Sequence, residues 1–101
     1  MTRQIVRDMK RRLATGTKPS ADPAEKRLAS ASALALLERS IGFGHARLAV
    51  IRLSIAAHAG ADIPPAHWAY CEQAARRSQD ATLQALWIAA AEAATRHAVA
   101  H

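Results

Sequence analysis

A chain of 101 residues with a formal net charge of +6 fits one small domain and favours an anionic partner. Its single cysteine, Cys71, excludes an internal disulfide, and we expect a reducing, cytoplasmic location. Because no apolar run approaches the roughly 20 residues of a membrane span, we expect no membrane-spanning helix. Because no apolar region follows the N-terminal charges, we expect no secretory signal.

Residues 1–18 hold most of the positive charge. Six Lys and Arg stand against a single Asp there, which places +5 of the net +6 in this segment. The basic residues are Arg3, Arg7, Lys10, Arg11, Arg12 and Lys18. A helix over residues 2–14 would carry most of them opposite an apolar face made of Ile5, Val6, Met9 and Leu13. A helix this short is marginal alone in water, so we expect it to dock on the rest of the chain or to become ordered on a partner.

The next helix is predicted from Pro23 to about Ser40. Asp22 can cap its N-terminus, Pro23 suits its first position, and Glu25 completes a capping box. Its main buried stripe is expected to be Leu34, Leu37 and Ile41, with Leu28, Ala31 and Ala35 as a smaller one. The glycines of the sequence Gly42-Phe43-Gly44 are expected to end this helix.

A central helix is predicted over residues 44–60, because its apolar side chains form two stripes on nearly opposite sides. One stripe is Leu48, Ile51 and Ile55, and the other is Val50 and Leu53 with Ala46 and Ala57. A helix that is apolar on two sides is expected to be covered on two sides. We therefore expect Leu48, Ile51, Leu53 and Ile55 to be largely buried.

Two further helices are predicted after the Gly- and Pro-containing break at residues 60–65. The third begins at Pro64 or Pro65 and ends near Gln79, with Trp68, Cys71 and Ala75 inside and Tyr70, Gln73, Arg76 and Arg77 outside. The fourth covers residues 81–99 after an Asp80 cap, unless the two segments form one bent helix. Its expected inner face is Leu83, Leu86, Trp87, Ala90, Ala94 and His97, and Glu92 and Arg96 have the spacing of an ion pair.

These elements predict an all-α fold, a small bundle of four helices over residues 22–101 preceded by a basic amphipathic N-terminal helix within residues 1–18. Short connections favour antiparallel neighbours, and no alternating pattern typical of a strand is present. Many of the hydrophobic residues are alanine, so the core is expected to be thin. Self-association or a protein partner would then supply part of the stability.

Two basic surfaces favour nucleic acid as the partner. The N-terminal helix could neutralise phosphates and release their condensed counterions. Tyr70, with Gln73, Arg76 and Arg77 on an outer helix face, could stack on a base and hold phosphate. No helix-turn-helix pattern is present, so we expect RNA or DNA to be bound without sequence specificity. An acidic protein groove or an anionic membrane surface would fit the same basic helix, and both stay open as alternatives.

No catalytic, metal or cofactor site is predicted. His67 and Cys71, and likewise His97 and His101, have i,i+4 spacing, but no close Cys/His pair of the zinc-finger type occurs. Cys71 shares its helix face with apolar residues, as structural cysteines do. The chain also lacks a phosphate-binding glycine loop and a serine nucleophile motif. We therefore expect a protein that is not an enzyme.

The features together favour a small basic helical subunit that binds nucleic acid through backbone charge, beside other protein subunits in a larger nucleoprotein complex. The profile resembles that of the small helical subunits of multi-subunit CRISPR effector complexes, a likeness of fold class that transfers no residue. The alternative function is a helical protein–protein interaction module, such as a small regulator, inhibitor or antitoxin-like factor. In that case Ile5, Met9 and Leu13 would anchor the N-terminal helix in an acidic groove.

Overall fold

The computed structural model describes residues 23–100, which form four helices: α1 (Pro23–Gly42), α2 (Ala46–His58), α3 (Pro65–Ser78) and α4 (Ala81–Ala100). Helices make up 86% of this range, and no strand occurs within it. The prediction of a small all-α bundle of four helices is therefore confirmed. The predicted N-terminal helix and the Asp22 cap lie outside the described residues.

Glycines end α1 and α2 where the sequence predicts. Gly44 has a φ of +72° and Gly60 a φ of +80°, a region that favours glycine. After α1, the His45 N–H donates to the Ser40 carbonyl at 2.9 Å. After α2, the Ala61 N–H donates to the Ala56 carbonyl at 3.0 Å. Both turns are Schellman motifs, which satisfy the last carbonyls of a helix and reverse the chain.

The segments on either side of Gln79 are two helices rather than one bent helix. Gln79 has a left-handed φ of 54°, which stops α3. Asp80 then caps α4, because its Oδ1 accepts the Thr82 N–H at 2.8 Å. The structure thus decides the alternative that the sequence leaves open.

The central position of α2 is confirmed, since it packs against α1, α3 and α4. Its buried side carries Val50 and Leu53, which are completely inaccessible to solvent. Seven of the thirteen buried apolar residues of the described bundle are alanine, so the helices approach closely around a thin core. The half-buried indole of Trp87 packs against this core and donates to the Trp68 carbonyl at 3.2 Å.

The apolar stripe of Leu48, Ile51 and Ile55 on α2 is not in the core, contrary to the sequence-based expectation. Leu53 is buried, but Leu48, Ile51 and Ile55 are 39%, 40% and 48% exposed. The physical reason is that α1, α3 and α4 all lie against the opposite side of α2. No other helix of the described bundle covers this stripe.

Some smaller expectations are also corrected. On α1, Leu37 is buried and Leu34 and Ile41 are half-buried as predicted, but the second stripe of Leu28, Ala31 and Ala35 is exposed. This stripe lies on the side of α1 that turns away from α2. His97 is exposed rather than core, and its Nε2 lies 3.3 Å from the His58 carbonyl oxygen. Glu92 and Arg96 are both exposed and form no ion pair with each other or with another of residues 23–100.

Candidate functional site

A groove, here called the Tyr70 groove, lies between the start of α2 and residues 70–78 of α3. It has a volume of about 410 Å³. Its lining is Ala46, Arg47, Tyr70, Gln73, Ala74, Arg77 and Ser78. Three of the predicted nucleic-acid contacts, Tyr70, Gln73 and Arg77, therefore share one concave surface.

Helical spacing explains why α3 presents these side chains together. Cys71 and Ala75 face the core and fix the rotation of the helix. Tyr70 and Arg77, seven residues apart, then fall on the flank of α3 that faces the first turn of α2. Tyr70 is half-buried there and packs against the core, whereas Arg77 is exposed. The ring is thus held in place by packing, and the guanidinium is free to reach a ligand.

The charges of the groove are unevenly compensated. Arg47 donates to Asp80 at 3.0 Å. The Thr82 N–H and the Arg47 guanidinium hold the pKa of the Asp80 carboxyl below its usual value. Arg77 has no ion-pair partner within the described range. The first turn of α2 contains no acidic residue, so its N–H groups add positive potential beside the groove. One uncompensated arginine next to a helix N-terminus suits an anionic group.

The other predicted contacts do not enter this groove. Arg76 points away from the lining and pairs with Glu72 at 3.3 Å. The basic residues within 1–18 lie outside the described residues. Arg47 is the lining residue that the sequence did not assign to the site. Its side chain is exposed and pairs with Asp80.

A second surface, here called the apolar face, lies on the side of α1 and α2 away from α3. It consists of Leu36, Phe43, Leu48, Ile51 and Ile55, all exposed. A groove of about 340 Å³ includes Leu36, Phe43 and Leu48 of this face, whereas Ile51 and Ile55 lie outside it. Arg39, Arg52, Ser40 and His45 complete the lining of that groove. The signal for this surface is present in the sequence as the stripe of Leu48, Ile51 and Ile55, which a helix apolar on two sides predicts to be buried.

The described histidines and the cysteine form no reactive or metal-binding cluster. Cys71 is buried, and burial raises the pKa of its thiol to about 11. His67 Nε2 lies 3.0 Å from Glu38 Oε2, so the imidazole joins α3 to α1. Across the described residues, no group of three or more His, Cys, Asp or Glu side chains is arranged to hold a metal ion. His101 lies outside that range.

Comparison of the chain with protein-family models, with curated proteins and with solved structures finds no match. None of the four helices of the described bundle is long and apolar enough to cross a lipid bilayer. The function is therefore argued from the two surfaces and from the charge of the sequence.

Proposed function

We propose that this chain is a small, non-enzymatic helical protein of the cytoplasm that binds nucleic acid through backbone charge as part of a larger nucleoprotein assembly. The observation that carries the proposal is the convergence of Tyr70, Gln73 and Arg77, with Arg47, on one groove. An aromatic ring, an amide and a guanidinium are the groups with which proteins hold a stacked base and its phosphate.

Each side chain has a role that its surroundings permit. Tyr70 is anchored by packing and offers the rest of its ring to a base. Arg77, which has no carboxylate partner in the described bundle, is available to a phosphate. Gln73 can accept from or donate to a base edge. Because bases in a duplex are already stacked, the preferred ligand is a single strand, RNA or DNA.

The N-terminal segment adds the larger electrostatic contribution. Residues 1–18 hold +5 of the net +6. Each phosphate that a basic residue neutralises contributes to affinity and makes binding more sensitive to salt. The groove would then fix where the strand sits, and the basic segment would supply most of the attraction. A protein of this kind binds with little dependence on base sequence.

The chain offers a matched test of the groove in two neighbouring arginines. Arg77→Gln and Arg76→Gln remove the same charge from the same helix, but only Arg77 lines the groove. Fluorescence anisotropy against a mixed-sequence single-stranded oligonucleotide should show weaker binding for Arg77→Gln. The slope of log affinity against log salt should also fall by about 0.7, the value for one lost phosphate contact on a single strand. Arg76→Gln should stay near wild type, because its charge is already offset by Glu72.

Tyr70 separates stacking from charge. Tyr70→Leu should weaken binding by about 1–3 kcal/mol, the range for one stacked base, without changing the salt slope. Tyr70→Phe keeps the ring and should bind as the wild type does. Equal effects of the two arginine variants, or no binding by the wild type at low salt, would refute the proposed groove.

A second candidate function is a helical protein–protein interaction module. The specific observation in its favour is the apolar face, with large aliphatic side chains exposed on the most central helix of the bundle. Nucleic acid does not explain such a surface, since Leu48, Ile51 and Ile55 neither stack on bases nor contact phosphate. The two functions are compatible in one subunit, because the Tyr70 groove and the apolar face use different residues.

A further inference from the structure

The apolar face is unusual for a surface of a small domain. Its five large side chains are between 39% and 66% exposed and lie on α1, on the turn that follows it and on α2. Single exposed hydrophobic residues are normal, but a contiguous apolar patch marks a binding surface. Leu48, Ile51 and Ile55 follow an i, i+3, i+7 pattern, so they form one straight ridge along α2. The ridge is about 10 Å long at 1.5 Å per residue, which matches two turns of a partner helix.

Two arginines beside the ridge have no anionic partner among the described residues. Arg52 is half-buried, and Arg39 stacks over Phe43 with its guanidinium carbon 5.7 Å from the ring centroid. Neither arginine has a carboxylate partner in the described part of the chain. The lining of the groove contains no Asp or Glu. A half-buried guanidinium beside apolar side chains interacts most strongly with a carboxylate that shields it from water.

We propose that the apolar face is a docking site for an acidic amphipathic helix of another protein. The partner helix would lay apolar side chains at i, i+3 or i+4 and i+7 between α1 and the ridge of α2. Glu or Asp residues on the edge of its apolar stripe would then meet Arg39 and Arg52. The positive charge of Arg39 and Arg52 requires a negatively charged partner helix. The spacing of the ridge determines the spacing of the apolar side chains on that helix.

Charge disfavours the other occupants. A second copy packed symmetrically on the same face would bring arginines against arginines, because an isologous contact repeats its own charges. The chain's own segment 2–14 has a suitable apolar stripe, but it carries five Lys and Arg against one Asp. It would therefore add positive charge to a positive rim.

This proposal is independent of the nucleic-acid proposal, since it uses none of the residues of the Tyr70 groove. The two can be distinguished with the same variants. Arg77→Gln should weaken oligonucleotide binding and leave helix docking unchanged. Ile51→Ser should do the reverse. Loss of both activities in either variant would show damage to the fold, which circular dichroism of that variant would detect.

The test uses the full chain and two synthetic amphipathic peptides of about 18 residues, a length at which isolated helices become stable. Both carry Leu on one stripe; one has Glu along its edges and the other has Lys. Fluorescence anisotropy should show binding of the Glu peptide and at least tenfold weaker binding of the Lys peptide. Arg39→Glu and Arg52→Glu should each reduce this preference, and together they should reverse it. Ile51→Ser should weaken binding of the Glu peptide by about tenfold, the effect of losing an interface anchor.

Ile88 on α4 gives the matched control for the ridge. It is 53% exposed and lies outside the apolar face, so Ile88→Ser should leave peptide binding unchanged.

Failure of both peptides to bind, or equal binding of the two, overturns the proposal. A dimer by sedimentation that Ile51→Ser converts to a monomer would assign the face to a second copy. If the peptide binds only after Ile5→Asp and Leu13→Asp are introduced into the full chain, segment 2–14 is the occupant of the apolar face. Competition by an oligonucleotide would assign it to nucleic acid.

Discussion

Two aliphatic residues of α2, two positions apart, should differ sharply in their contribution to the free energy of unfolding. Leu53 is completely buried among the helices, whereas Ile51 is 40% exposed. Truncation of a buried Leu to Ala costs about 2–5 kcal/mol. The upper half of that range is expected for Leu53→Ala, because the surrounding alanines are too short to fill the cavity. Full burial of an Ile is worth about 1.5–3 kcal/mol, and Ile51 loses only part of this, so Ile51→Ala should cost about 1 kcal/mol.

Urea unfolding of the full chain, monitored by circular dichroism, measures both changes in the free energy of unfolding. The slope of this free energy against urea concentration should be the same for both variants and the wild type, which shows that the same transition is compared. For a domain of this size, 1 kcal/mol corresponds to about 4–8 °C in Tm, so a loss in the upper half of that range should lower the Tm of Leu53→Ala by about 14–40 °C. A small effect of Leu53→Ala would refute the position of the core. An effect of Ile51→Ala as large as that of Leu53→Ala would show that the full chain covers the ridge, and would refute the exposed apolar face.

Three further outcomes follow from single contacts. Asp80→Ala should lower Tm by removing the cap of α4 and the partner of Arg47. Because these contacts lower the pKa of Asp80 from its ordinary 3.8, the stability they give is present at neutral pH and should be lost as pH falls below about 4, as thermal unfolding across pH would measure. The Cys71 thiol, with a pKa of about 11, should react with iodoacetamide at pH 8 only at the rate of unfolding, followed by mass spectrometry. Gly60→Ala should destabilise the fold by about 1–3 kcal/mol in urea unfolding, because φ is +80° and the new Cβ would lie 3.4 Å from the His97 ring.

The positions of the helices could be predicted from the sequence because their ends are determined locally. Gly44 and Gly60 mark the C-terminal turns of α1 and α2, and Pro65 marks the start of α3. Each of these signals depends on the conformational range of a single residue. The separation of α3 from α4 was not predictable in this way. It depends on a left-handed Gln79, a conformation that a non-glycine residue adopts only when the surrounding structure requires it.

The same distinction between local and long-range contacts applies to the residues of the candidate site. The spacing of Tyr70, Gln73 and Arg77 places them on one face of any helix, so their grouping could be predicted. The addition of Arg47 could not, because it depends on how α2 packs against α3. The pairing of Arg76 with Glu72 is local, an i,i+4 contact. The i,i+4 spacing of Glu72 and Arg76 is visible in the sequence, so the different roles of Arg76 and Arg77 were predictable.

The distribution of side-chain size on α2 explains both the error in the predicted core and the importance of the apolar face. Four of the buried apolar residues of this helix are Ala or Val, which let three other helices approach closely. The larger Leu48, Ile51 and Ile55 stand on the opposite side, where the described bundle leaves them in water. A helix that served only the core would gain stability with the larger side chains inside. Their place on the outside costs solubility, and a partner helix that covers the ridge would offset that cost.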